Sequence, residues 1–109
     1  MTPIEIEKVQ REVDRLANKT VFLHLETTNG AYSAKKVGAY IRNGSIHYSE
    51  GRIKGTGPFR VGLKMEHGWV YAEGLTHWEV DEKGRLLLAG HDEEGKLAVA
   101  CQIGEEAFE

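Results

Sequence analysis

The chain has 109 residues, enough for one domain with its own core and no need of disulfides or metals to hold it together. Seventeen acidic residues against fourteen Lys plus Arg leave a formal charge of −3, which weighs against the strongly basic face of a general nucleic-acid binder. With 40% hydrophobic and 28% charged residues the composition is globular, not disordered, and a lone cysteine excludes an intramolecular disulfide.

Met1-Thr-Pro-Ile-Glu-Ile-Glu-Lys8 has neither the basic start nor the apolar run of a secretory leader, and no stretch reaches membrane-spanning length. The expectation is a cytoplasmic protein without a membrane partner. The spacing predicts one helix over residues 3–17. Thr2 suits the cap, Pro3 the first helical position, and Glu5 completes a capping box. Ile6, Val9, Val13 and Leu16 recur at intervals of three and four, so the helix is amphipathic and needs a partner surface. Asn18-Lys19 ends it.

From there the chain reads as antiparallel β-structure over residues 20–103. Asn29-Gly30, Asn43-Gly44, His67-Gly68, Asp81-Glu-Lys-Gly84 and Asp92-Glu-Glu-Gly95 are turn phrases, because Asn and Gly accept the positive φ of tight reversals. Val21, Leu23 and Leu25 alternate with Phe22, His24 and Glu26, as Phe59, Val61 and Leu63 do with Arg60, Gly62 and Lys64. Such alternation gives each strand a core face and a wet face. Further strands are predicted at 31–41, 45–54, 69–73, 75–80, 85–89 and 96–103. The last two carry small or apolar residues on both faces. Ala98 and Ala100 would let the helix pack there, and failing that a second subunit would cover them. The fold class is therefore mainly β (α+β): a single-domain antiparallel meander forming a small barrel or sandwich, with the N-terminal helix packed on it. Residues 104–109 read as a short, mobile tail, and Cys101 as a small buried thiol.

The segment from Arg52 to Lys64 stands out. Gly55 and Gly57 bracket Thr56, Pro58 stiffens the exit, and Lys54, Arg60 and Lys64 flank the loop. Glycines can expose backbone N–H groups to an anion while the cations add field, so these residues form a candidate site for phosphate or carboxylate, with Tyr71 and Glu73 beside it. The competing reading is a plain β-turn between strands with basic outward residues, since the phosphate-loop pattern is incomplete and no helix follows. Trp69, Tyr71 and Glu73 share a strand face. Either the aromatics bury Glu73 for acid–base work, or they belong to the core and Glu73 sits at the wet end.

His24 with Glu26, and His77 with Glu79, lie two apart on strands and so offer two donors on one face. His24 and Glu26 are the weak metal candidates; ordinary surface histidines are the alternative. Tyr40 with Arg42, or His47 with Tyr48, would serve an RNA-binding platform, but acidic residues are spread through the same strands. Nucleophile elbow, paired-cysteine site and dinucleotide fingerprint are all missing, so no cofactor is expected.

The phrases His24-Leu-Glu-Thr-Thr28, Gly38-Ala-Tyr-Ile-Arg-Asn43, Ile53-Lys-Gly55, Gly57-Pro-Phe-Arg-Val-Gly-Leu-Lys64 and Gly68-Trp-Val-Tyr-Ala-Glu-Gly-Leu-Thr76 carry a resemblance. With Leu86-Leu-Leu-Ala-Gly-His91 and Gly95-Lys-Leu-Ala98, they resemble the YojF family of small proteins from bacilli, over almost the whole chain. The stretch around Lys35-Lys36-Val37 departs from the family in being shorter. The resemblance implies a protein of unknown function with no catalytic residues to carry over. It also implies an association with deacetylases acting on N-acetylglucosaminyl compounds, and with low-molecular-weight thiol metabolism. The resulting expectation is a non-enzymatic, homodimeric β-domain that binds a small anionic ligand or a partner protein, possible partner enzymes included. The alternative is a metal-dependent enzyme or accessory subunit using His24 and Glu26.

Overall fold

In the computed structural model, which describes residues 1–28 and 38–109, the period-two patterns form antiparallel strands and the apolar stripe forms the helix. A two-residue strand β1 (Thr2–Pro3) precedes helix α1 (Ile6–Arg15). Then follow β2 (Thr20–Thr28), β3 (Gly38–His47), β4 (Glu50–Lys54), β5 (Phe59–Lys64) and β6 (Trp69–Leu75). Strands β7 (His77–Val80), β8 (Leu86–His91) and β9 (Leu97–Gly104) complete the order. The predicted turn at Asn29-Gly30, the shortened stretch at Lys35–Val37 and most of the strand predicted at 31–41 lie outside the described residues.

Two antiparallel sheets result, one in the order β1-β7-β8-β9-β2-β3 and one in the order β4-β5-β6. The chain leaves simple meander order where β9 pairs with β2, His24 opposite Gln102. The sheets face each other as a sandwich, not a closed barrel. Val21, Leu23, Leu86, Leu88, Cys101 and Ile103 of the larger sheet meet Ile53, Val61, Leu63, Val70 and Leu75 of the smaller in one core. No helix among the described residues is long and apolar enough to cross a membrane.

The helix departs from expectation at its start and in its partner. Thr2 and Pro3 pair with Trp78 and His77 of β7, and the Ile4 amide donates to the Thr76 carbonyl (3.0 Å), so the first residues protect a sheet edge instead of capping α1. Glu5 occupies the N-cap position and makes no side-chain capping bond. Val9, Val13 and Leu16 are fully buried, as the stripe requires, but α1 packs on β4 and not on Ala98 and Ala100. The reason is Gly51. A Cβ there would stand 2.4 Å from Cγ1 of Val13 and 2.9 Å from Cδ2 of Leu63, so only glycine lets the helix sit this close. The Gln10 amide completes the contact, donating to the Gly51 carbonyl (2.9 Å) and accepting from the Ile53 amide (3.0 Å).

Two other expectations change. Asn43-Gly44 is not a turn: β3 runs through it as a bulge, Leu23 pairing with Gly44 and Leu25 with Ile41, while Asn43 takes φ 56°. The strand break falls instead at Tyr48-Ser49, where the chain passes between sheets and the buried Tyr48 hydroxyl donates to the Val13 carbonyl (2.6 Å). The C-terminal residues also dock. Phe108 is buried, with the Arg85 guanidinium 4.7 Å from its ring centre, and its backbone amide donates to the Asn43 side chain (2.6 Å). An apolar ring offered a place on the open face of a large sheet is driven there by burial, and Asn43 fixes its backbone.

Candidate functional site

The outward face of the three-stranded sheet is a grid. On β4 it shows Glu50, Arg52 and Lys54; on β5, Lys64, Gly62 and Arg60; on β6, Trp69, Tyr71 and Glu73. The ladder pairs Glu50 with Lys64 and Lys64 with Trp69, then Arg52 with Gly62 and Gly62 with Tyr71, and Lys54 with Arg60. Four cations and two carboxylates thus surround a glycine on one sheet face of a chain whose net charge is −3.

Gly62 makes the face concave. The Tyr71 ring covers the place its side chain would fill, and the Trp69 ring stacks on Tyr71 with centroids 5.4 Å apart and planes 8° from parallel. Arg60 lies on Tyr71, its guanidinium carbon 5.5 Å from the ring centre. Around them Glu50, Arg52, Lys54, Arg60, Lys64 and the two rings enclose a hollow of about 320 Å³, the lower end of ligand-pocket sizes.

The cations differ in freedom. Arg52 is paired with Glu50 (3.2 Å) and approaches Asp14 of the helix (3.8 Å). Arg60 reaches Glu73 only at 4.0 Å. Among the described residues neither Lys54 nor Lys64 has a carboxylate within 4.0 Å. Exposed pairs such as these are worth at most about 1 kcal/mol, so an incoming anion displaces them at little cost.

Of the residues read from the sequence as a candidate site, Lys54, Arg60, Lys64 and Tyr71 line this one hollow. Gly55 lies in a smaller adjoining hollow with Lys54, Arg60 and Glu73. Gly57 lines neither. Both glycines have strongly positive φ (119° and 123°), which is why glycine stands there. Trp69 and Tyr71 are half-exposed and point away from the core, so they neither join it nor bury Glu73. Arg52, Gly62, Trp69 and Glu50 were missed as site residues. Alternation through Glu50, Arg52 and Lys54 held the signal, but a strand read as continuous over 45–54 hid where it starts.

His24 and Glu26 do share a face. The His24 ring is buried, its Nε2 is 3.0 Å from Glu26 and its Nδ1 is 3.3 Å from the Arg42 guanidinium. Arginine only donates, so Nδ1 accepts and the proton sits on Nε2, donated to the carboxylate. Both nitrogens are thereby engaged, and a fixed cation stands beside the ring. Among the described residues no three His, Cys, Asp or Glu side chains are grouped to hold a metal.

Fold and face together define a small antiparallel β-sandwich with a cationic, aromatic hollow on its lesser sheet. The chain belongs to the family described as "Protein of unknown function (DUF1806)", whose model matches residues 3–108. It is 53% identical over 114 residues to the "Uncharacterized protein YojF" of Bacillus subtilis (strain 168), covering 99% of this chain and 98% of that protein. The crystal structure of the Bacillus subtilis YojF protein superposes with a TM-score of 0.89 at 51% identity, covering 99% of this chain and 96% of that one.

Proposed function

We propose that this protein binds a small phosphate or carboxylate carried on a ring, such as a sugar phosphate, in the hollow over Gly62. The observation that carries the reading is the coincidence of Lys54 and Lys64, which have no carboxylate within 4.0 Å among the described residues, with the Trp69–Tyr71 stack around one concavity. Cations meet the anionic group, and the aromatic surface receives the apolar side of the ring. Cations and stacked rings dominate the lining of the hollow, and we read it as a binding site. The test is thermal stabilisation by a hexose phosphate, by a sugar carboxylate such as glucuronate and by inorganic phosphate. Stabilisation of the native chain, with affinity at least tenfold weaker in Arg60→Ala and Tyr71→Ala, is expected; tenfold corresponds to about 1.4 kcal/mol. Equal stabilisation of all three proteins by every probe would defeat the reading.

A homodimer is proposed on a separate observation. Among the described residues strand β3 forms one edge of the larger sheet for ten residues, and it exposes Tyr40 (73%) and Ile41 (48%). An open edge of that length is a template for another strand, and a second copy of β3 supplies one. Light scattering should give twice the chain mass, falling to a monomer in the double variant Tyr40→Lys, Ile41→Lys. A native monomer at high concentration refutes it.

A further inference from the structure

Two histidines outside that face meet across the β7–β8 ladder. His77 opens β7 opposite Ala89, and His91 closes β8 just after a register shift at Gly90. Their Nδ1 atoms are 3.3 Å apart, while the ring centres are 5.0 Å apart with planes 87° to each other. The nitrogens are nearer than the centres, so both rings turn Nδ1 toward one shared point. Thr76 stands at the same place. Its hydroxyl oxygen is 2.7 Å from Nδ1 of His77 and accepts the backbone amide of His91 (3.1 Å). Both imidazoles are half-buried and open onto a hollow of about 470 Å³.

We propose that His77 and His91 bind a divalent first-row transition-metal ion of the zinc class through their two Nδ1 atoms, with Thr76 beside it. At metal–nitrogen lengths of about 2.0–2.1 Å, two ligands at the tetrahedral angle lie about 3.3–3.4 Å apart. The observed 3.3 Å matches that spacing. Imidazole nitrogen selects zinc, copper, nickel or cobalt over magnesium and calcium. The Thr76 hydroxyl has an alternative acceptor in the Ala89 carbonyl (3.4 Å), so its proton can leave His77 when the ion arrives. With two protein nitrogens the remaining positions belong to solvent or to a ligand, and the bound ion is exchangeable.

The experiment is titration of the full chain, free of any histidine tag, with Zn²⁺ by calorimetry and with Co²⁺ by visible absorption. One equivalent should bind in the micromolar range. His77→Ala and His91→Gln should each weaken binding at least tenfold, whereas His47→Ala and His67→Ala leave it unchanged. Thermal unfolding without metal confirms that each variant is folded. Thr76→Val, which keeps both rings, should weaken binding by a smaller factor. Absence of saturable uptake, or uptake equally reduced by His67→Ala, would overturn the assignment and leave the pair as two hydrogen-bonded side chains.

Discussion

A Cβ on Gly62 would stand 2.9 Å from Cε1 and 3.2 Å from Cδ1 of Tyr71, so one missing side chain creates the hollow and seats its main ring. The backbone at Gly62 does not require glycine, since its φ is not positive, and Tyr71 is half-exposed and free to swing outward. Gly62→Ala should therefore keep the unfolding midpoint near the native value while filling the floor of the site. Hexose-phosphate affinity is expected to fall at least fivefold, read by thermal shift against ligand concentration. Unchanged affinity would place the ligand elsewhere. This glycine was not readable as a site residue, because in sequence it is one more small residue on the wet side of a strand. Only its neighbours across the ladder give it meaning.

Gln10 shows the same dependence on context for a whole element. β4 is an edge strand of the lesser sheet, and the Gln10 amide meets its backbone as another strand would, one donor to Gly51 and one acceptor for Ile53. Gln10→Leu fits the helix equally well by propensity but leaves an N–H and a C=O half-buried and unpaired. A loss of about 1–3 kcal/mol is expected, measured by denaturant unfolding. A change below about 0.5 kcal/mol would show that water replaces the amide. The helix itself was legible, since Val9, Val13 and Leu16 are spaced for one buried face. Its partner was not, because the two groups that choose it are a polar glutamine and a glycine without pattern. Asn43-Gly44 failed for a related reason: positive φ serves a bulge as well as a turn, and only pairing with Leu23 and Leu25 decides. The phrases Asp81-Glu-Lys-Gly84 and Asp92-Glu-Glu-Gly95 were read correctly. In each the Asp Oδ1 accepts two later amides, Lys83 and Arg85 in the first, Glu94 and Lys96 in the second, so the turn is encoded locally.

Across the molecule, period-two alternation revealed which residues share a face but not which face meets the other sheet, which is why Lys54, Arg60, Lys64 and Tyr71 were named for the site and the outward Trp69 was not. The same core that settles the question sets the stability at extreme pH. Burial pushes the Cys101 thiol up to about 12, and burial likewise raises the Tyr48 hydroxyl. Both groups are neutral when protonated. In the unfolded chain they lose their protons near ordinary values, so above about pH 9 the unfolded state binds fewer protons and stability falls as pH rises. Asp81 acts at the other end. Burial opposes its charge, but the Arg85 amide and side chain and the Lys83 amide outweigh it and hold its carboxyl below the usual range. Its contribution is present above the ordinary carboxylate pKa and is lost as pH falls. Stability should therefore be highest near neutrality and decline from pH 9 toward 12. The difference between the native chain and a Cys101→Ala variant reports the thiol together with its charge effect on Tyr48. Denaturant midpoints should fall more steeply with pH in the native chain than in Cys101→Ala between pH 9 and 12, whatever constant cost the lost sulfur adds. Parallel curves would mean that the thiol reaches solvent before the chain unfolds, and that the sandwich opens at β9 without global unfolding.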